Sequence, residues 1–261
     1  MFTILICSCD KFSDLWHEHV RLLHKHWIGK LCRAVLVTDK DTDAILKDVD
    51  IIVAPSDYDF SKRIAYALDF IETEYVLLTL DDYFLIYDTY LENITKLLEI
   101  SITRDIDYLL LYNRRRKNTP KCVDLEKIEQ IDLEKKYAVI LYPALWKVSF
   151  LKKTVRDNIS AWEYEFLLTE TARIEKAQCF FSPSGSFEIL DVVRKGKILH
   201  KADKYFNKNG IDIGSREKIG YFTVIKLEIM DRVSWYVPKW GQAWIKRLLR
   251  LFGMQFFSDI K

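Results

Sequence analysis

Glycine is scarce in this chain. It occurs 8 times in 261 residues, about 3% where roughly 7% is usual, and only Gly29 falls in the first hundred. That excludes the GxGxxG turn and the P-loop, which both need glycine where backbone amides close around phosphate. Long apolar runs are missing as well. No stretch of eighteen apolar residues could cross a membrane, and the opening Met1 to Ile6 has no basic segment and is too short for a secretory signal. A chain that stays in the cytoplasm is expected. The cysteines (Cys7, Cys9, Cys32, Cys122, Cys179) are odd in number and irregularly spaced, with no second pair at zinc-ligand distance from Cys7 and Cys9. They read as reduced and mostly buried. Four histidines (His17, His19, His24, His26) crowd one segment, but their spacing suits no common metal motif, so a solvated or structural role is expected. No internal repeat or low-complexity stretch is present.

A composition that is 49% hydrophobic and 14% aromatic is ample for a core. Through the first 113 residues, short apolar runs alternate with helical patterns. The runs are Thr3 to Cys9, Ala34 to Thr38, Ile51 to Ala54, Tyr75 to Leu80 and Asp107 to Tyr112; the helical stretches are 14 to 28, 61 to 72 and 89 to 99. This alternation predicts an open α/β sheet, mostly parallel in this half. Trp16, Val20, Leu23 and Trp27 form one core-facing stripe, as do Ile64, Leu68 and Ile71, with Ser61 as N-cap. A new apolar run opens at Tyr137. A helix is expected from about 148, another from Ala161 to about 174, and a hairpin over 187 to 199 with Gly196 in its turn.

Ligands of open α/β sheets bind beyond the carboxyl ends of the strands. Asp10, Asp39, Ser56 with Asp57, and Asp81 with Asp82 stand at four successive ends. Adjacent acids after the buried run Tyr75 to Leu80 repel unless a cation sits between them. A divalent ion shared with a nucleotide diphosphate meets that need, since magnesium and manganese take one or two protein carboxylates plus phosphates. Without a glycine cradle, phosphate must be neutralised by metal and by side chains such as Lys62 or Arg63.

The order of Asp10, Asp39, Ser61-Lys62-Arg63, the run Leu80-Asp81-Asp82-Tyr83-Phe84-Leu85 and the run Ala161-Trp162-Glu163-Tyr164-Glu165-Phe166 resembles GT-A glycosyltransferases over residues 1 to 205. It is most similar to bacterial enzymes that build capsule or lipopolysaccharide O-chains. The resemblance implies a GT-A, Rossmann-like open mixed sheet flanked by helices, with residues 1–113 binding the nucleotide-sugar and 114–215 supplying acceptor site and base. It also implies that Asp10 and Asp39 approach base or ribose, that Arg63 lies near base or diphosphate, and that Asp81 faces the ribose. Asp82 and His200 would hold Mn2+ or Mg2+. The family's usual Asp-x-Asp has Tyr83 at its third position here. In inverting transfer a carboxylate takes the proton of the acceptor hydroxyl. The resemblance makes Glu163 the first choice and Glu165 the second; residues two apart on a helix point about 200° apart, so only one can face the cleft. Arg114 to Lys117 could grip an acceptor pyrophosphate, though a solvated loop is the plainer expectation.

Net charge is only +2, from 40 Lys+Arg against 38 Asp+Glu, but it is polarised. Residues 232–261 hold six basic side chains against Asp259, a charge of +5 that leaves −3 on the rest. Wound as a helix, 239–252 places Trp240, Trp244, Leu248 and Leu251 opposite Lys239, Lys246, Arg247 and Arg250. That pattern suits a helix lying in a membrane interface, with residues 233–257 touching the inner face of the cell membrane, or else one docked on the acidic body. The sequence therefore predicts a peripheral glycosyltransferase using a nucleotide-diphosphate sugar and a lipid-linked or other glycan acceptor. The alternatives are a sugar nucleotidyltransferase, which lacks its glycine-rich opening loop here, and a non-catalytic membrane scaffold. Nucleic acid is disfavoured by the acidic body.

Overall fold

The computed structural model describes residues 1–112, 125–157, 159, 161–182, 186–212, 214 and 216–220. The first half runs β1 (Phe2–Cys7), a 3-10 turn (Asp10–Phe12), α1 (Ser13–His26), β2 (Trp27–Ile28), β3 (Ala34–Thr38), β4 (Val49–Val53), α2 (Phe60–Leu68), β5 (Tyr75–Leu80), β6 (Tyr83–Leu85), β7 (Thr89–Tyr90), α3 (Leu91–Thr103) and β8 (Tyr108–Leu110). There follow β9 (Glu129–Gln130), β10 (Ala144–Lys147), α4 (Val148–Lys153), α5 (Ala161–Ile174), β11 (Cys179–Phe181), β12 (Ile189–Asp191), β13 (Val193–Arg194), β14 (Lys197–Ile198) and α6 (His200–Asn209).

Among the described residues one eight-stranded sheet is ordered β4-β3-β1-β5-β10-β8-β11-β9. Its first four strands are parallel, and β10 lies antiparallel between β5 and β8. The sheet is thus mixed. Period-2 alternation sends Phe2, Ile4 and Ile6 of β1 to one face and Leu5 and Cys7 to the other. The first face packs α1 and α3 through Trp16, Val20, Leu23, Ile94 and Leu97. The second packs α2, α4 and α5 through Ile64, Leu68, Phe150, Tyr164 and Leu168. Both stripes expected from the sequence are core. A third apolar cluster joins α1 and α6 to β6 and the strands near 190–198, using Leu15, Leu22, Phe84, Leu190 and Phe206.

Gly29, the one early glycine, has φ 119°, and a Cβ there would meet the Leu91 side chain at 3.0 Å. The tight approach of this turn to the start of α3 requires it.

Two local expectations are revised. The N-cap of α2 is Asp59, whose carboxylate accepts from Lys62 N at 2.9 Å. Ser61 is buried instead and bonds the Arg156 backbone, because it already lies inside the first turn. The 187–199 hairpin divides: β12 pairs with β6, and only β13 and β14 close around Lys195 and Gly196. The apolar run that opens at Tyr137 forms turns and bends, and pairing begins at Ala144. Arg114 to Lys117 and the expected helix 239–252, with its membrane-contacting stretch 233–257, lie outside the described residues. No described helix is long and apolar enough to cross a membrane.

Candidate active site

The site forms where β1, β3 and β5 end side by side. Beyond β1, Ser8 donates to the Asp81 carboxylate and accepts from the Trp16 indole at 2.6 Å, linking α1 to the end of β5. His19, one helical turn further along α1, is buried and its Nδ1 lies 3.1 Å from the Asp81 carbonyl. A carbonyl only accepts, so Nδ1 carries the proton. Desolvation lowers the His19 pKa to about 4 and keeps the ring neutral.

Asp10 and Asp39 are joined: Asp10 N donates to Asp39 Oδ1 at 2.7 Å. Arg63 reaches from α2 to Asp39 Oδ2 at 2.9 Å, in a pair that is mostly shielded from water. Arg63 Nε is buried with no hydrogen-bond partner among the described residues, leaving one donor of the guanidinium to spare. Lys40 pairs with Asp10 at 2.8 Å in the open. Lys62 points elsewhere, to Asp157 at 3.0 Å, and Asp57 is exposed beyond the edge strand β4.

Asp81 and Asp82 follow β5, Asp81 buried and Asp82 half-buried. Burial pushes the Asp81 carboxyl up to about 7, with Ser8 the chief opposing influence. Burial raises Asp82 well above the ordinary range too, helped by the charges of Asp81 and Asp191. Asp82 Oδ1 is buried without a hydrogen-bond partner among the described residues, and its carbonyl accepts from Val192 N at 2.9 Å. That bond brings the Asp191–Arg194 ion pair (2.9 Å) beside it. His200 opens α6 directly after Leu199, whose N donates to Val192 O at 2.9 Å. The described residues contain no group of three His, Cys, Asp or Glu spaced to share a metal ion.

The third wall comes from residues 137–143, which precede β10 and so lie at the carboxyl ends of β5 and β8. Tyr142 is sandwiched between Tyr83 (5.0 Å, 4°) and Tyr112 (4.9 Å, 13°). Glu165 Oε1 accepts from Leu141 N at 3.2 Å, and its charge contributes to raising the Tyr83 phenol. Glu163 is exposed on another face of α5, and the Trp162 side chain lies outside the described residues. Of the two glutamates, Glu165 is the one the fold turns toward Leu141 and Tyr83.

Ser8, Asp191, Arg194, Tyr112 and Tyr142 were not anticipated. His19 had a usable signal, since it falls at i+3 from Trp16 on the core stripe. Asp191 and Arg194 had none: their role depends on β12 pairing with β6 across a hundred residues.

No family model and no curated protein matches the sequence. Solved structures do match in shape. S. aureus TarS 1-349 in complex with UDP-GlcNAc superposes with a TM-score of 0.51 and 15% identity, covering 76% of this chain and 60% of that one. Mannosyltransferase PcManGT from Pyrobaculum calidifontis, in complex with GDP-Man and Mn2+, superposes with a TM-score of 0.50 and 13% identity, covering 75% and 58%. The chain thus spans about three fifths of the length of the structures it resembles. These likenesses show the fold: a GT-A mixed sheet flanked by helices.

Proposed function

We propose that this chain is a glycosyltransferase that moves a hexose from a nucleotide-diphosphate sugar to a glycan acceptor. The observation that carries the reading is the adjacent Asp81–Asp82 pair, largely withdrawn from solvent at the carboxyl end of β5 beside the Asp10–Asp39–Arg63 network, in a GT-A fold. Two adjacent carboxyls, one buried and one half-buried, are costly without a cation. The unpartnered Oδ1 of Asp82 fits a divalent ion held by one or two carboxylates and completed by donor phosphates. Bound there, Mn2+ or Mg2+ would neutralise charge on the departing diphosphate.

The chain's own groups divide the remaining work. Asp10, Asp39 and Arg63 hold the nucleoside end, with the spare Arg63 Nε directed at base or diphosphate, and Asp81 faces the ribose. Lys62 and His200 have weaker claims as diphosphate and metal contacts. Glu165 accepts the proton of the acceptor hydroxyl as its oxygen attacks the anomeric carbon, the bond from that carbon to phosphate breaks, and the nucleoside diphosphate leaves. One displacement of this kind inverts the sugar. Neighbouring structures hold UDP-GlcNAc and GDP-Man, which suits a hexosyl donor here. The basic amphipathic pattern of 233–257 supports a lipid-linked acceptor at the inner face of the membrane, in synthesis of a bacterial surface polysaccharide such as capsule or lipopolysaccharide O-chain.

Calorimetric titration of UDP, GDP and CMP, with and without Mn2+, tests the core of the reading. At least one nucleotide should bind more tightly with metal, and Asp82→Ala should abolish that gain of roughly tenfold. If no nucleotide binds under either condition, the reading is wrong.

A further inference from the structure

At the outer end of the 137–142 segment, the rings of Tyr137 and Phe166 meet edge to face, centroids 6.2 Å apart and inclined at 71°. Both are large apolar side chains left in water, 56% and 48% exposed. A core role does not account for them, because half of each ring packs on nothing. Their placement is nevertheless fixed. Tyr137 has φ 53°, a left-handed conformation that a bulky residue adopts only at a cost and that clusters at functional positions. Two bonds fasten the segment to α5: Val139 N to Thr169 Oγ1 at 3.1 Å, and Leu141 N to Glu165 Oε1 at 3.2 Å. Phe166 follows Glu165 directly in the helix. The ring pair is therefore held in rigid relation to the carboxylate assigned as base, at the sheet end where ligands bind.

We propose that Tyr137 and Phe166 form a platform for a pyranose ring of the acceptor glycan, outward of the sugar whose hydroxyl attacks. The chemistry is that of an amphipathic ligand. A pyranose presents an apolar C–H face to the π-face of an aromatic ring and leaves its hydroxyls to water, which a half-exposed aromatic pair matches and a buried one does not. The proposal rests on the glycosyltransferase reading for its role in transfer, but binding of sugar at this place can be measured alone.

The test applies the full chain to an array of immobilised pyranose oligosaccharides, with nucleotide titration run on the same preparations. Wild type should bind a subset of the array. Phe166→Ala and Tyr137→Ala should each weaken that binding about tenfold, while Phe166→Tyr and Tyr137→Phe, which keep the rings, should retain it, and nucleotide affinity should be unchanged in all four. Because both side chains are exposed, the thermal midpoint should also stay put, so loss of binding is not loss of fold. No glycan binding by wild type, or alanine variants that bind as wild type does, would overturn the platform while leaving the donor site standing. Failure of nucleotide binding with ring-dependent glycan binding intact would do the reverse: the platform holds and the transferase reading falls.

Discussion

At the scale of single residues, the site mixes buried ionisable groups such as His19 and Asp81 with exposed pairs such as Lys40 and Asp10. His19 is the clearest case, because its neutrality is a consequence of burial and carries a stability signature. Its folded pKa, about 4, lies below the unfolded value near 6.5. Below pH 6.5 the unfolded chain binds a proton that the folded chain refuses, so His19 costs stability progressively as pH falls from 6.5 to 4. Asp81 works the other way across much of the same range, since a raised carboxyl favours the folded state as pH falls. The two partly cancel in the wild type, and a difference measurement separates them. Denaturant unfolding of wild type and His19→Gln should show the wild type's advantage at pH 7.5 shrinking by about 1–3 kcal/mol at pH 4.5. An advantage that is constant with pH would mean that His19 ionises normally in the folded protein. The carboxylates themselves were legible as strand-end residues. The groups that hold them, Ser8 and the Trp16 indole, were not, because a serine after a strand and a tryptophan on a core stripe look the same whether or not they bond an aspartate.

At the scale of elements, periodicity explains what could be read and what could not. Strands β3 and β5 and helix α5 occupy the expected residues because their patterns are closed by strong signals on either side. Residues 137–142 have strand-like composition but become turn, since β10 must start where β5 and β8 end. The same logic bears on the orientation of the two glutamates. Tyr164 and Leu168 of α5 are buried against the sheet, and a residue's position relative to that stripe, not its order after Trp162, sets which acid sees the cleft. Glu165 faces Leu141 and Tyr83, whereas Glu163 faces solvent. With donor hydrolysis by water as the readout, Glu165→Gln should lower turnover roughly 10²–10⁴-fold with nucleotide affinity kept. Glu163→Gln should stay close to wild type. The opposite ranking would return the base to the exposed position.

At the scale of the whole molecule, Arg216 ties the two ends of the described chain together. Its guanidinium is 12% exposed and forks onto Asp14, with both contacts at 2.5 Å, donates to Lys11 O at 2.7 Å, and lies over the Phe12 ring at 4.7 Å. Glu217 O and Ile219 N both bond Ile198, so residues 217–219 run along β14, while Arg216 at their start lies beside the stretch that follows Asp10. The segment leading to the basic tail thereby braces the Lys11–Asp14 stretch next to Asp10, while the tail itself carries the opposite charge from the body. Two truncations separate these roles. A chain ending at residue 220 keeps Arg216 and should bind nucleotide as the full chain does, yet it should fail to float with anionic liposomes, because the screened attraction of the basic residues and the apolar face beyond it are gone. A chain ending at residue 215 loses the clasp as well. Its thermal midpoint should fall by roughly 2–6 °C and its nucleotide affinity should weaken, since Asp14 loses a bidentate partner and the Asp10 loop loses its anchor. Flotation of the 220 form would remove the membrane role from the tail, and wild-type nucleotide binding by the 215 form would show that the clasp does not reach the site.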